Sequence, residues 1–237
     1  MRGRFAVCVL SVAIGVLASP RAGLCDVLDP AVQFGWGYIT APADWLGGVP
    51  PPDGAGPMTV VGFVESFHPI FGDLDPSTDS EEYTFAYQDV GFDYSFPVDD
   101  PERSLYGWGA LFSGGTLSVF KDATPDAVVG DEITFEDGDL LLAATVIEIT
   151  IVRLGQDEPS WWGTVRFTGG TLFPIVSSGG AGYVADNIGS FVPEGGPPTP
   201  CGGAWPGAVA CTRSALSLTI PTSIETKTWG AIKGLYR

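Results

Sequence analysis

Glu82-Tyr83-Thr84-Phe85-Ala86-Tyr87-Gln88 alternates without a break. Tyr83, Phe85 and Tyr87 fall on one side of an extended chain, and Glu82, Thr84, Ala86 and Gln88 on the other. Successive side chains of a strand point to opposite faces, so this stretch predicts an aromatic row inside and a polar row outside. Phe92, Tyr94 and Phe96 continue the alternation after Gly91. Thr145 to Leu154 is the most β-prone stretch, with Val146, Ile147, Ile149, Ile151 and Val152 beside Glu148 and Thr150. Such β-branched runs suit a half-buried pleated surface. The same reading predicts strands at Val32 to Thr40, Met58 to Pro69, Ser104 to Phe112, Thr116 to Lys121, Ile133 to Phe135 and Leu140 to Ala144. It adds Trp162 to Phe167, Thr171 to Val176 and Leu216 to Ile220. Asp137-Gly138 is a turn dipeptide suited to a hairpin. About ten strands with almost no helical period predict an all-β fold: an antiparallel β-sandwich of jelly-roll or Greek-key type, with few helices.

The rest of the composition fits that class. The chain has 237 residues, 45% hydrophobic and 12% aromatic, which excludes a disordered polymer. The 33 glycines and 20 prolines supply turns between short strands. Residues 1–25 read as a signal peptide. Arg2 and Arg4 precede an apolar run from Phe5 to Leu17, and a small-residue stretch comes after it. Ala22-Gly23-Leu24-Cys25 is a poor lipobox, because Leu24 stands where a small residue is wanted. No later apolar run is long enough to span a bilayer. The expected organisation is a leader at 1–25, one β-sandwich domain at 26–225 and a tail or short helix at 226–237. The expected location is secreted or in the cell envelope.

Charge and cysteines point the same way. The net charge is −17, and losing Arg2, Arg4 and Arg21 with the leader makes it −20. Such a surface repels nucleic acid and anionic lipid and attracts divalent cations. Cys201 and Cys211 are expected to pair in an oxidising compartment. A zinc site lacks ligands, since His68 is the one histidine of the chain. Gly179 to Arg213, rich in glycine and proline, reads as a long loop. Phe112-Ser113-Gly114-Gly115-Thr116-Leu117 recurs as Phe167-Thr168-Gly169-Gly170-Thr171-Leu172. Paired glycines permit positive φ, so each copy predicts a tight turn or a bulge.

Several runs together carry a likeness: Phe71-Gly72-Asp73, Glu82-Tyr83-Thr84-Phe85, Leu117-Ser118-Val119-Phe120-Lys121-Asp122, Thr134-Phe135-Glu136-Asp137-Gly138 and Phe167-Thr168-Gly169-Gly170. With them the chain resembles a group of secreted bacterial β proteins that has no assigned activity. Thr228-Trp229-Gly230-Ala231-Ile232-Lys233-Gly234-Leu235-Tyr236-Arg237 resembles the short tail closing many exported proteins of such bacteria. The resemblance implies fold and compartment and no catalytic residue. Trp229, Ile232 and Tyr236 also keep a helical spacing, which suits a terminal helix docked on the domain.

Three candidate sites stand out. Asp73, Asp75, Ser77, Asp79 and Glu81 place oxygen on alternate residues, as a calcium loop requires. Thr78 and Thr84 replace the glycine and the bidentate glutamate of an EF-hand, so a capped acidic turn explains the run as well. Asp131 to Glu136 resembles the Glu-Ile-Asp-x-x-Glu signature of jelly-roll laminarinase-type glycosidases, with Glu132 and Glu136 as the carboxylate pair. Thr134 replaces the middle aspartate, and residues four apart on a strand lie about 13 Å apart, against about 5 Å for retaining hydrolysis. Trp36, Trp45, Trp108, Trp161 and Trp162 are either core or a sugar-stacking surface. His68 lacks a placed nucleophile. These readings predict a structural or binding module of the cell exterior, with a glycan or cell-surface partner and calcium as the one cofactor considered. The alternative is a carbohydrate-binding or glycoside-hydrolysing jelly-roll protein.

Overall fold

A computed structural model describes residues 25–40, 50–78, 80–100, 105–128, 130–154, 160–177, 184–193 and 208–221. The chain is all-β, as its alternation requires. The strands are β1 (Cys25–Thr40), β2 (Met58–Phe67), β3 (Glu82–Asp100), β4 (Leu105–Ser113), β5 (Thr116–Asp122), β6 (Asp139–Leu154), β7 (Ser160–Gly169), β8 (Val184–Pro193) and β9 (Ala208–Pro221). A single helical turn, α1 (Phe173–Val176), and two 3₁₀ turns, Pro69–Phe71 and Glu132–Phe135, interrupt them.

Every pairing is antiparallel; apart from β3–β5, β4–β6 and the closing pair β1–β9, each joins neighbours along the chain. The sheet therefore closes on itself. β3 pairs with β5 through Glu82 to Gln88 and with β4 through Gly91 to Asp100. β6 does the same on the far side. β4 and β5 are thus one broken stave, and the ring has eight staves. Two walls face across one core, as in a sandwich, but the winding is a meander rather than a jelly roll or Greek key. Closure gives each of these staves a partner on either side, which removes the exposed edges of an open sheet.

The break between β4 and β5 is where the Gly-Gly pair of the first motif copy falls. Gly114 and Gly115 both have φ +72°. A Cβ on Gly115 would lie 2.2 Å from the Gln88 carbonyl oxygen, so only glycine fits. The pair kinks a continuing stave and does not reverse the chain.

The core lies inside the ring. Phe34, Phe85, Tyr87 and Trp161 form a chain of rings across it, with centroids 4.5 Å apart for Phe34–Phe85, 6.2 Å for Phe85–Tyr87 and 5.6 Å for Tyr87–Trp161. Phe85 needs space, and two inward glycines provide it. A Cβ on Gly37 or Gly62 would come within 2.8 Å and 2.9 Å of its ring. One end of the ring is closed by the two short helices, which drop Phe71 and Val176 into the core.

Three local expectations need correction. Ile133 to Phe135 is a 3₁₀ turn and not a strand, so Asp137-Gly138 does not join a two-strand hairpin. Thr171 to Val176 carries α1, where Pro174 sits in the first turn and cannot donate to a ladder. The long loop expected over Gly179 to Arg213 contains all of β8 and the start of β9. Residues 1–24 of the expected leader, Trp45, Asp79, Cys201 and the tail at 226–237 lie outside the described residues, whereas Cys25 opens β1. Among the described residues, no helix is long and apolar enough to cross a membrane.

Candidate functional site

The outward residues of β3 begin the candidate site. Thr84, Ala86 and Gln88 alternate with the core aromatics, so they meet whatever covers the outer wall. The β5–β6 connection covers it. Its 3₁₀ turn is N-capped by Asp131, whose carboxylate accepts from the Ile133 N–H at 3.3 Å. Phe135 is fully buried against the outside of the wall, 5.1 Å from Phe63, in a second cluster with Tyr38, Val61 and Ala86. Thr84 Oγ1 donates to the Phe135 carbonyl at 2.8 Å. Thr40 Oγ1 donates to Glu132 at 2.9 Å, and Gln88 Nε2 donates to Glu136 at 2.6 Å. The two glutamates thus clip the turn to the wall from opposite sides. Burial raises the Glu136 pKa, the bond from Gln88 opposes the rise, and the charges of Glu132 and Asp89 add to it.

Beside this turn lies a cleft of about 370 Å³. Phe63, Val64, Pro76 and Pro125 form its apolar walls, and Thr78, Glu81, Glu82 and Tyr83 its polar side. Glu82 is held in place, because its Oε1 accepts from the backbone N–H groups of Ala127 at 2.9 Å and Asp126 at 3.3 Å. Glu81 faces Lys121 at 2.7 Å and accepts from the Tyr83 hydroxyl at 2.7 Å. Lys121, and then Tyr83, hold the Glu81 carboxyl below the usual carboxylate range. Lys121 also lies 5.8 Å from the centre of the Tyr83 ring.

A group of carboxylates adjoins the cleft. Asp122, Asp126 and Asp137 bring oxygens within 4.8 Å of one another. Desolvation and the charges of Asp137 and Asp122 push the Asp126 pKa up. This trio, which sequence reasoning missed, is the set among the described residues that could hold a metal ion. Its members sit at the two ends of the β5–β6 connection, and no run of spaced ligands announces them.

The run from Asp73 to Glu81, a calcium loop or a capped turn by sequence, carries the cap. Asp75 caps its own turn, accepting from Ser77 Oγ at 2.6 Å and from the Ser77 N–H at 2.9 Å. The Ser77 hydroxyl, then its N–H, lower the Asp75 pKa. Glu81 is engaged by Lys121 and Tyr83, Asp73 is exposed, and Asp79 lies outside the described residues. Glu132 and Glu136 stand on a 3₁₀ turn and its cap, not on one face of a strand. His68 N-caps the turn Pro69–Phe71, its Nδ1 accepting from the Ile70 N–H at 3.2 Å. The tryptophans divide. Trp108 and Trp161 belong to the core, Trp36 packs on the outer cluster under Arg213, and Trp162 is 45% exposed on the outer wall. Cys211 lies on β9.

The fold and cleft together define an eight-stave antiparallel meander barrel with an acidic recess at the end of its outer wall, where inward Val64 and Tyr83 reach the lining. No family model, no curated protein and no solved structure matches the chain.

Proposed function

We propose that the chain is an exported binding module of the cell exterior, working through its outer wall rather than its interior. The observation that carries this reading is the cleft of about 370 Å³, which sets carboxylates beside apolar walls. The packed aromatic interior supports it, since Phe34, Phe85, Tyr87 and Phe112 fill the space a ligand would need. The net charge of −17 supports a cationic ligand and disfavours nucleic acid. Calcium belongs to the same reading, with Asp122, Asp126 and Asp137 as its oxygens. The leader at 1–25 and a Cys201–Cys211 disulfide complete the exported form.

The test is an amide-shift titration of the leaderless protein with calcium, organic cations and neutral oligosaccharides. Shifts at Phe63, Thr78 and Glu82 are expected, and with calcium at Asp122, Asp126 and Asp137 as well. Shifts confined to other parts of the barrel would remove the reading. Mass spectrometry of the exported protein, with and without reductant before alkylation, reads leader and disulfide together.

A second reading has its own observation. Tyr94 is 53% exposed and Trp162 45% exposed. They lie on one row of cross-strand partners, Tyr94–Leu111–Thr150–Trp162. Exposed rings on one face suit stacking on sugar rings. A glycan array that retains the protein, and loses it on Trp162→Ala, would favour carbohydrate binding there.

A further inference from the structure

We infer that the acidic cleft binds an alkylammonium group, the side chain of a lysine carried by a basic polypeptide. This rests on the outer-wall reading above and names the ligand class of that same cleft.

The walls argue for an organic cation rather than a bare metal ion. Calcium takes hard oxygens on most sides. The side chains of Phe63, Val64, Pro76 and Pro125 offer none, but they suit the methylene stem of a lysine, which buries its carbons while its charged head stays polar. The polar side supplies what the head needs. Both backbone N–H groups that hold Glu82 bond to Oε1, so among the described residues Oε2 of a fixed, half-buried carboxylate is left for a ligand. The Thr78 hydroxyl lines the same cleft.

The chain already seats one ammonium at this corner. Lys121 rests on the Glu81 carboxylate at 2.7 Å and 5.8 Å from the centre of the Tyr83 ring. A carboxylate with an aromatic face is a favourable setting for an ammonium ion. Glu82 with Phe63 repeats that pairing of types, and among the described residues no lysine or arginine lines the cleft with them. Long-range charge favours the same partner. Residues 26–221 hold five bases, Arg103, Lys121, Arg153, Arg166 and Arg213, against 27 acids. A field of that sign concentrates polycations and speeds their encounter.

The test uses the leaderless protein with an N-acetylated trilysine amide, the same peptide acetylated at every Nε, and calcium alone, each tracked by amide shifts. Trilysine is expected to move Phe63, Thr78 and Glu82, and the acetylated peptide is not. Glu82→Gln keeps an oxygen for the Asp126 and Ala127 N–H groups and removes the charge. It is expected to weaken trilysine about tenfold, with the melting temperature unchanged. Equal binding of both peptides would overturn recognition of the ammonium. Trilysine shifts spread evenly over the surface, unaffected by Glu82→Gln, would overturn the cleft as its site. Cleft shifts with calcium but not trilysine would overturn this inference and leave the outer-wall reading standing. No cleft shift with any probe would overturn both.

Discussion

The two faces of β3 are made from the same residues and obey different physics. Inward, Tyr83, Phe85 and Tyr87 are buried among other rings and held mainly by contact, with the Tyr83 hydroxyl reaching Glu81 at the end of the strand. Outward, Glu82, Thr84 and Gln88 each bond to a loop that folds back over the wall. The inner face fixes the barrel, chiefly through apolar contact. The outer face fixes the cleft and is governed by hydrogen bonds and charge. One strand therefore builds the scaffold and the site together, with period two as the partition between them.

The inner face is the more vulnerable to a single change. Phe85→Ala empties the space above Gly37 and Gly62 and is expected to destabilise by about 3–5 kcal/mol in urea unfolding. A loss below about 1 kcal/mol would mean that the ring chain is not the keystone described. Two neighbouring inward positions of β9 test contact against hydrogen bonding. Trp161 Nε1 donates to Thr212 Oγ1 at 2.7 Å, in a buried setting. Thr212→Val keeps the shape and orphans the indole N–H, which is expected to cost about 1–3 kcal/mol. Ser214 is 3% exposed, and its hydroxyl has no partner among the described residues. Ser214→Ala removes a desolvated group and is expected to stabilise by up to about 1 kcal/mol. Matching losses at both sites, read from chemical melts, would contradict the bonding described.

The smallest effect belongs to the outer wall and depends on pH. Burial raises the Glu136 pKa above its ordinary 4.5. Its protonated form is thus the better fit to the fold, and stability is lost as pH rises through the folded value. Glu136→Gln keeps an acceptor for Gln88 and is expected to melt higher than the parent near neutral pH. Below 4.5 that advantage should vanish, because the parent then carries its own proton. Glu81 has the opposite sign. Lys121 lowers its pKa, so its contribution is present above the unfolded value and is lost on acidification. Thermal melts across this range separate the two. A Glu136→Gln advantage that persists in acid would contradict the assignment.

The strands were legible where each had one wet and one buried face. Glu82 to Gln88 and Thr145 to Leu154 fall inside β3 and β6. Short apolar runs were not, because periodicity cannot separate a few buried helical residues from a strand. Phe173-Pro174-Ile175-Val176 is such a run. Val184-Ala185-Asp186-Asn187-Ile188-Gly189-Ser190 failed for the opposite reason: its polar and glycine content resembles a loop, and its place between β7 and β9 makes it a strand. The cleft was half legible. Glu81 lay in the acidic run, but Phe63, Pro76 and Pro125 come from three separate connections and strands, so no spacing joins them. The acidic run fits a calcium loop or a capped turn by sequence alone, and the cap is present: Asp75 bends it into a turn around Ser77.

The seam between β1 and β9 sets an order of events for the young polypeptide. Cys25 pairs with Pro221 and Thr40 with Ala208, so the first stave waits for the last before it has a second neighbour. Until Ala208 to Pro221 have emerged, β1 and β8 both offer bare ladder groups to any passing strand. Contacts so far apart in sequence form slowly. A chain stopped short of β9 should therefore be sticky and protease-sensitive in full, with no stable half-barrel left behind.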